Sequence, residues 1–277
     1  MAALALANFR SYRDESSKRY LKAIGLWTEN DPVYPDLAFS LLPGEVVRPN
    51  SHANARRLVV GIGLMEYAGK YSVERPTNHV QAAYLESLVE FVRWLLANGY
   101  DVRLLIGDLN DRRVVKEFLA LLKRRSVVCD DDRITYEPVE SFWDVLSQIA
   151  ATDFVVATRF HTILFSVLMN KPVSAISFHH KCTSLMSSLG LEEYCHDINR
   201  LDANQLIEHF LRLEKNSQRL KASTAEKVKE CRAALDDQYR AVIRQLFRAG
   251  DQTPATCTVE SEAVPRPVDV NTRKGPK

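Results

Sequence analysis

Residues 151–181 read "ATDFVVATRFHTILFSVLMNKPVSAISFHHK". The stretch is apolar nearly throughout, and its cations are one arginine, three histidines and two lysines. Asp153 to Ala157 and Pro172 to Ser177 have the short β-rich form of buried strands, and Thr162 to Met169 has the length and composition of a buried helix. Arg159 and His161 fall between the first strand and that helix. A strand, a turn and a helix that returns to a second strand form one unit of a parallel sheet, because parallel strands need a crossover.

The same unit repeats upstream. Leu58 to Gly63 predicts a strand, followed by a helix on Tyr84, Leu88, Phe91, Val92 and Leu95 that stops at Asn98-Gly99. Val102 to Ile106 is the next strand, and Val114, Val115, Phe118, Leu119 and Leu122 mark the next helix. Ile134 to Glu137 is a shorter strand. Ser141 with Asp144 three residues on forms a capping pair for a helix carrying Phe142, Val145, Leu146 and Ile149. The fold class is therefore α/β, a Rossmann-like parallel sheet with helices on both faces. Downstream, Asp202 with Gln205 opens a helix through Leu213. A longer helix runs to Phe247, with an apolar seam of Val228, Cys231, Leu235, Tyr239, Val242 and Leu246 expected to pack on its own protein.

Residues 51–248 are expected to form this domain with its terminal helices. Residues 1–50 hold one strand-like run (Leu4 to Tyr12), one short helix (Glu15 to Ile24) and a turn-rich connection, too little for a domain. Residues 249–277, with several prolines and no aromatic residue, read as a disordered tail.

The chain has 277 residues, 46% hydrophobic and 26% charged, with a net charge of +2. That balance carries no basic stripe for a nucleic-acid backbone, so nucleic acid is not an expected partner. No run reaches the roughly 18 apolar residues of a membrane span, and the apolar start lacks the basic flank of a signal peptide, so a cytoplasmic location is expected. The five cysteines are widely spaced without a CxxC pair, and reduced thiols are expected. Neither a metal nor another cofactor is expected: His179-His180-x-Cys182 and Cys195-His196 have ligand types without the usual spacing.

Ligands of open parallel sheets bind outside the carboxyl ends of the strands. Arg159 and His161 sit at such an end, beside the start of a helix, where free N–H groups and an arginine fork favour an anion. The plain structural alternative is that the two cap local carbonyls or pair with a carboxylate. His179, His180 and Lys181 follow the next strand and should lie beside them. Asp36 in "PDL" and Asp108 in "GDL" suit either a cleft or ordinary turn chemistry. Gly61 and Gly63 lack the third glycine of a dinucleotide fingerprint.

"DFVVATRFHTILFSVLMNKPVSAISFHHK" resembles the C-terminal half of the polysaccharide pyruvyl transferase family: Arg159, His161, Pro172 and Lys181 match, and Phe160 stands where leucine is usual. "FRSYRDESSKRYLKAIGL" with "VYPDLAFSLLP" is similar to the end of that family's N-terminal domain, through Arg13, Asp14, Ser16 and Asp36. The resemblance covers roughly residues 6 to 215. It implies the C-terminal half of a GT-B-like two-domain architecture, with most of the N-terminal domain lost or supplied by a partner chain or oligomer.

The activity so implied is transfer of a pyruvyl ketal from phosphoenolpyruvate to a sugar of a cell-surface polysaccharide or its precursor. Arg13, Arg159 and Lys181 would bind the donor, and His161 would be the acid–base group. Two rivals stay open: a nucleotide-sugar glycosyltransferase of the same architecture, and a non-catalytic or partner-dependent subunit.

Overall fold

The computed structural model describes residues 7, 9–26, 31–42, 57–67, 77–127 and 132–247. The expected tail, the 50/51 boundary and part of the run from Leu4 to Tyr12 lie outside them.

Among the described residues six parallel strands form one sheet: β1 (Val59–Leu64), β2 (Asp101–Ile106), β3 (Ile134–Tyr136), β4 (Phe154–Ala157), β5 (Val173–Ser177) and β6 (Cys195–Asp197), in the order β3-β2-β1-β4-β5-β6. β4 and β5 are buried at every residue and β1 at all but one, as strands covered on both faces must be. The chain steps outward one way from β1 to β3, returns to β4 beside β1, and then steps the other way. The reversal between β1 and β4 is the place where such sheets open a crevice.

Among the described residues eight helices accompany the sheet: α1 (Glu15–Ala23), α2 (Thr77–Ala97), α3 (Arg112–Arg124), α4 (Phe142–Ala150), α5 (Phe160–Leu168), α6 (His180–Ser188), α7 (Ala203–Lys215) and α8 (Ser217–Phe247). Ser141 and Asp144 form the expected capping box. The glycines of β1 are there for packing: a Cβ on Gly63 would lie 2.7 Å from Ala157 Cβ, so only glycine lets β4 approach.

Two elements differ from the sequence reading. His180 and Lys181 open a helix rather than sit in a loop, and Cys195–Asp197 adds an edge strand. The long seam divides. Val228 and Leu235 are buried and Cys231 packs on the core, whereas Tyr239 is exposed.

The N-terminal segment lies against this domain. Tyr12 bridges Val33, and the 3-10 turn Leu37–Ser40 packs on α8 with Phe39 buried. Arg232 of α8 donates to the carbonyls of Phe39 and Leu41 at 3.0 and 2.8 Å.

Candidate functional site

At the β1/β4 reversal, α5 begins directly after β4. Arg159 takes the N-cap position with an extended backbone and gives the first turn no side-chain cap. A helix start of this kind leaves N–H groups and the positive end of the helix dipole for an anion.

The Arg159 side chain turns to Asp111 instead. Nε donates to Oδ2 at 2.8 Å and Nη2 to Oδ1 at 2.7 Å, a two-point pair. The Asp111 carboxylate is fully buried and its Oδ1 also accepts the Glu66 backbone N–H at 2.9 Å. One carboxylate thus joins the loops that follow β1, β2 and β4. Burial works against the Arg159 charge, but the hydrogen bonds and charge of Asp111 outweigh it, and the guanidinium pKa is raised. Close approach is required here too: a Cβ on Gly107 would meet Thr162 Oγ1 at 2.5 Å and Arg159 Cβ at 3.1 Å. Behind this turn the buried Tyr84 hydroxyl lies 2.9 Å from Thr158 Oγ1.

A cleft of about 680 Å³ opens beside the start of α5, between α1, the 37–40 turn and α6. Arg13, Arg19 and Lys181 line it, with Phe160. The Arg13 guanidinium lies 5.0 Å over the Phe160 ring and donates through Nη1 to Asp36 at 3.1 Å. Asp14 caps α1 through Ser17 N at 2.7 Å. Burial raises its pKa, yet the bonds from Ser17 and the charge of Arg13 outweigh that and the net shift is downward. It remains a carboxylate.

Of the residues singled out in the sequence, Arg13, Lys181 and Asp36 come together in this cleft, while Arg159 and His161 lie outside its lining. His161 is exposed, with its ring 5.8 Å from that of Phe165. Phe160 points toward Arg13; one residue on, about 100° around the helix, His161 leaves in another direction. Asp108 caps the turn at 109–111 by accepting from Asn110 N at 2.9 Å. Sequence reasoning missed Asp111 and Arg19. The signal for Asp111 was a second aspartate three residues after Asp108, at the end of a buried strand.

A second cavity, of about 510 Å³, lies on the other side of α6, at the carboxyl ends of β5 and β6. It holds His179, His180 and His196. No cluster of three or more metal-binding side chains occurs among the described residues.

Residues 2–180 match the family model described as polysaccharide pyruvyl transferase. No curated protein matches the chain. Among solved structures, a Listeria monocytogenes protein assigned as a UDP-N-acetylglucosamine 2-epimerase superposes with a TM-score of 0.59 at 13% identity, over 90% of this chain and 62% of that one. S. aureus MnaA, solved with UDP, gives 0.58 at 11%, over 91% and 64%. A Burkholderia multivorans alpha,alpha-trehalose 6-phosphate synthase gives 0.56 at 10%, over 87% and 59%. Identities this low show a shared fold, the GT-B-like one. The chain spans less than two thirds of the length of these structures.

Proposed function

The chain belongs to the polysaccharide pyruvyl transferase family, and from that premise we propose that it carries the donor half of a site that moves a pyruvyl group from phosphoenolpyruvate to two hydroxyls of one sugar. The observation that carries this reading is the shared cleft: Arg13 and Lys181, two cations of the family pattern separated by most of the chain, line one cavity beside the uncapped start of α5.

Phosphoenolpyruvate has a phosphate and a carboxylate on one carbon. Arg13, its guanidinium over the Phe160 ring, and Lys181, a point charge, suit those two anions. Arg159, outside the cleft lining, fixes the turn through Asp111, and donor binding falls to Arg13 and Lys181.

In the reaction one sugar hydroxyl adds across the vinyl double bond: its oxygen bonds to the phosphate-bearing carbon and gives up its proton, the π bond breaks, and the CH2 becomes CH3 by gaining a proton. The second sugar oxygen then displaces phosphate from that carbon, and its proton leaves with the phosphate. His161 is the group for these transfers, because imidazole both gives and takes protons near neutral pH. In this reading the exposed imidazole works with a second wall contributed by a further domain or a partner chain. The reading keeps the cytoplasmic location expected from the sequence; no described helix is long and apolar enough to cross a membrane.

The test is the thermal midpoint of the purified chain with phosphoenolpyruvate, phosphate or a nucleoside diphosphate sugar, since a ligand of the folded state raises it. A rise specific to phosphoenolpyruvate and lost in Arg13→Ala supports the reading. A rise with the nucleotide sugar alone, or with none of the three, overturns it.

A further inference from the structure

Phe160 stands between a cation inside the cleft and a histidine outside it. It is the first residue of α5, directly after Arg159, so the two-point pair with Asp111 fixes the backbone from which its ring leaves. The side chain is half-buried, packs against the core and lines the cleft.

The Arg13 guanidinium carbon lies over this ring, 5.0 Å from its centroid. A cation over an aromatic face is held by the ring quadrupole, and the face keeps water from one side of the guanidinium. Asp36 holds the same group at its edge. Its Oδ2 accepts from Arg13 Nη1 at 3.1 Å, while its Oδ1 accepts from Ala38 N at 3.0 Å and ties the carboxylate to the 37–40 turn. The ring and the carboxylate together set where the fork lies and which way it points.

The His161 imidazole meets the same ring edge to face, at 5.2 Å and 86°. Phe165, four residues on and so on the same side of α5, stacks on the imidazole at 5.8 Å and 26°. Phe165 is buried and has an edge contact with Phe142 at 5.2 Å. The imidazole is therefore exposed yet flanked by two phenyl rings, which narrows the orientations open to it.

We propose that Phe160 is a positioning residue for the transfer: one ring that orients the donor-binding Arg13 inside the cleft and braces the His161 imidazole outside it. The inference rests on the donor reading above and adds the link between its two groups. An anion that draws the guanidinium into the cleft also shifts the ring beneath it, and the imidazole at the edge of that ring responds. Leucine, usual at this place in the family pattern, fills similar space without a π face. Phe160→Leu therefore removes the proposed role and keeps the packing, whereas Phe160→Tyr keeps the ring.

The experiment follows the full chain by NMR during titration with phosphoenolpyruvate. It reads the Arg13 Nε–H and His161 Hε1 resonances, assigned by their loss in Arg13→Lys and His161→Gln. In the parent, the ring current should place the Arg13 signal upfield, and phosphoenolpyruvate should move both signals with one dissociation constant. Phe160→Leu should return the Arg13 signal downfield, raise that constant about two- to fivefold and shrink the movement of His161. Phe160→Tyr should behave as the parent, and both variants should keep its thermal midpoint. An Arg13 signal unmoved by Phe160→Leu overturns the contact and the role together. A moved signal with an unaltered dissociation constant, or equal losses in the leucine and tyrosine variants, overturns the role and leaves the ring as packing. A parent that ignores phosphoenolpyruvate while its Arg13 signal still depends on Phe160 overturns the donor reading instead, and the ring contact stands.

Discussion

Arg159 and Asp111, 48 residues apart in the chain, meet in a two-point pair of 2.7 and 2.8 Å in which the carboxylate is fully buried. The pair sets the shape of the switch point, because the same carboxylate also holds Glu66 N–H. Removing Asp111 leaves a half-buried guanidinium unpaired, and Asp111→Ala should cost about 2–3 kcal/mol in urea unfolding. Adding Arg159→Ala to it should cost clearly less than the sum of the single changes. Additive losses would show that the two side chains are not coupled.

Gly107 makes that approach sterically feasible. A methyl group there would meet Thr162 Oγ1 at 2.5 Å, and Thr162 is buried within α5 and cannot swing away. Gly107→Ala should therefore destabilise by roughly 1–3 kcal/mol, and Thr162→Ala in the same chain should recover part of it. A neutral Gly107→Ala would show that the packing of the end of β2 on the start of α5 does not depend on glycine.

These two contacts show what a sequence can and cannot convey. β1, β2, β4 and β5 were legible because strands buried on both faces are written as continuous apolar runs between turns. β6 was not: three residues on an edge, with only His196 buried, leave no period to read. α6 carries Cys182, Leu185 and Met186 at helical spacing, but its cap is His179, whose ring accepts from Lys181 N, where serine, threonine or aspartate is the usual signal. The sequence leaves Arg159 either a fork for an anion or the partner of a carboxylate, and the structure shows the carboxylate. Its partner could not be seen, since nothing local ties Asp111 to a turn 48 residues away. The Arg13–Lys181 cleft followed from the family pattern, whereas the direction taken by His161 depends on helix phase, which a motif does not record.

Acid should unfold the protein partly through His196. Burial, with the His209 ring 4.9 Å away, pushes its pKa down from 6.5 to about 4. The folded state therefore favours the neutral ring: this contribution is intact above pH 6.5 and is lost as pH falls from 6.5 toward 4. Between pH 7 and pH 5 the loss should be about 2 kcal/mol. His196→Gln, which does not titrate, should reduce the difference between urea midpoints at those two pH values. An unchanged difference would assign the acid sensitivity to other groups.

Arg13 and His161 should fail in different ways, because they occupy different places. Under the proposed function Arg13, in the cleft lining, binds the donor and moves no proton, so Arg13→Lys, which loses the planar fork over Phe160, should raise KM for phosphoenolpyruvate with a smaller change in kcat. His161 is exposed and outside the cleft lining, so His161→Ala should leave donor affinity near that of the parent while lowering kcat by about two orders of magnitude. Steady-state kinetics with a competent acceptor, paired with the midpoint shift as a binding measure, separates the two effects. If His161→Ala abolishes the phosphoenolpyruvate shift, its imidazole belongs to the donor site and the proton transfers need another group; if it changes neither quantity, the exposed ring has no part in the transfer.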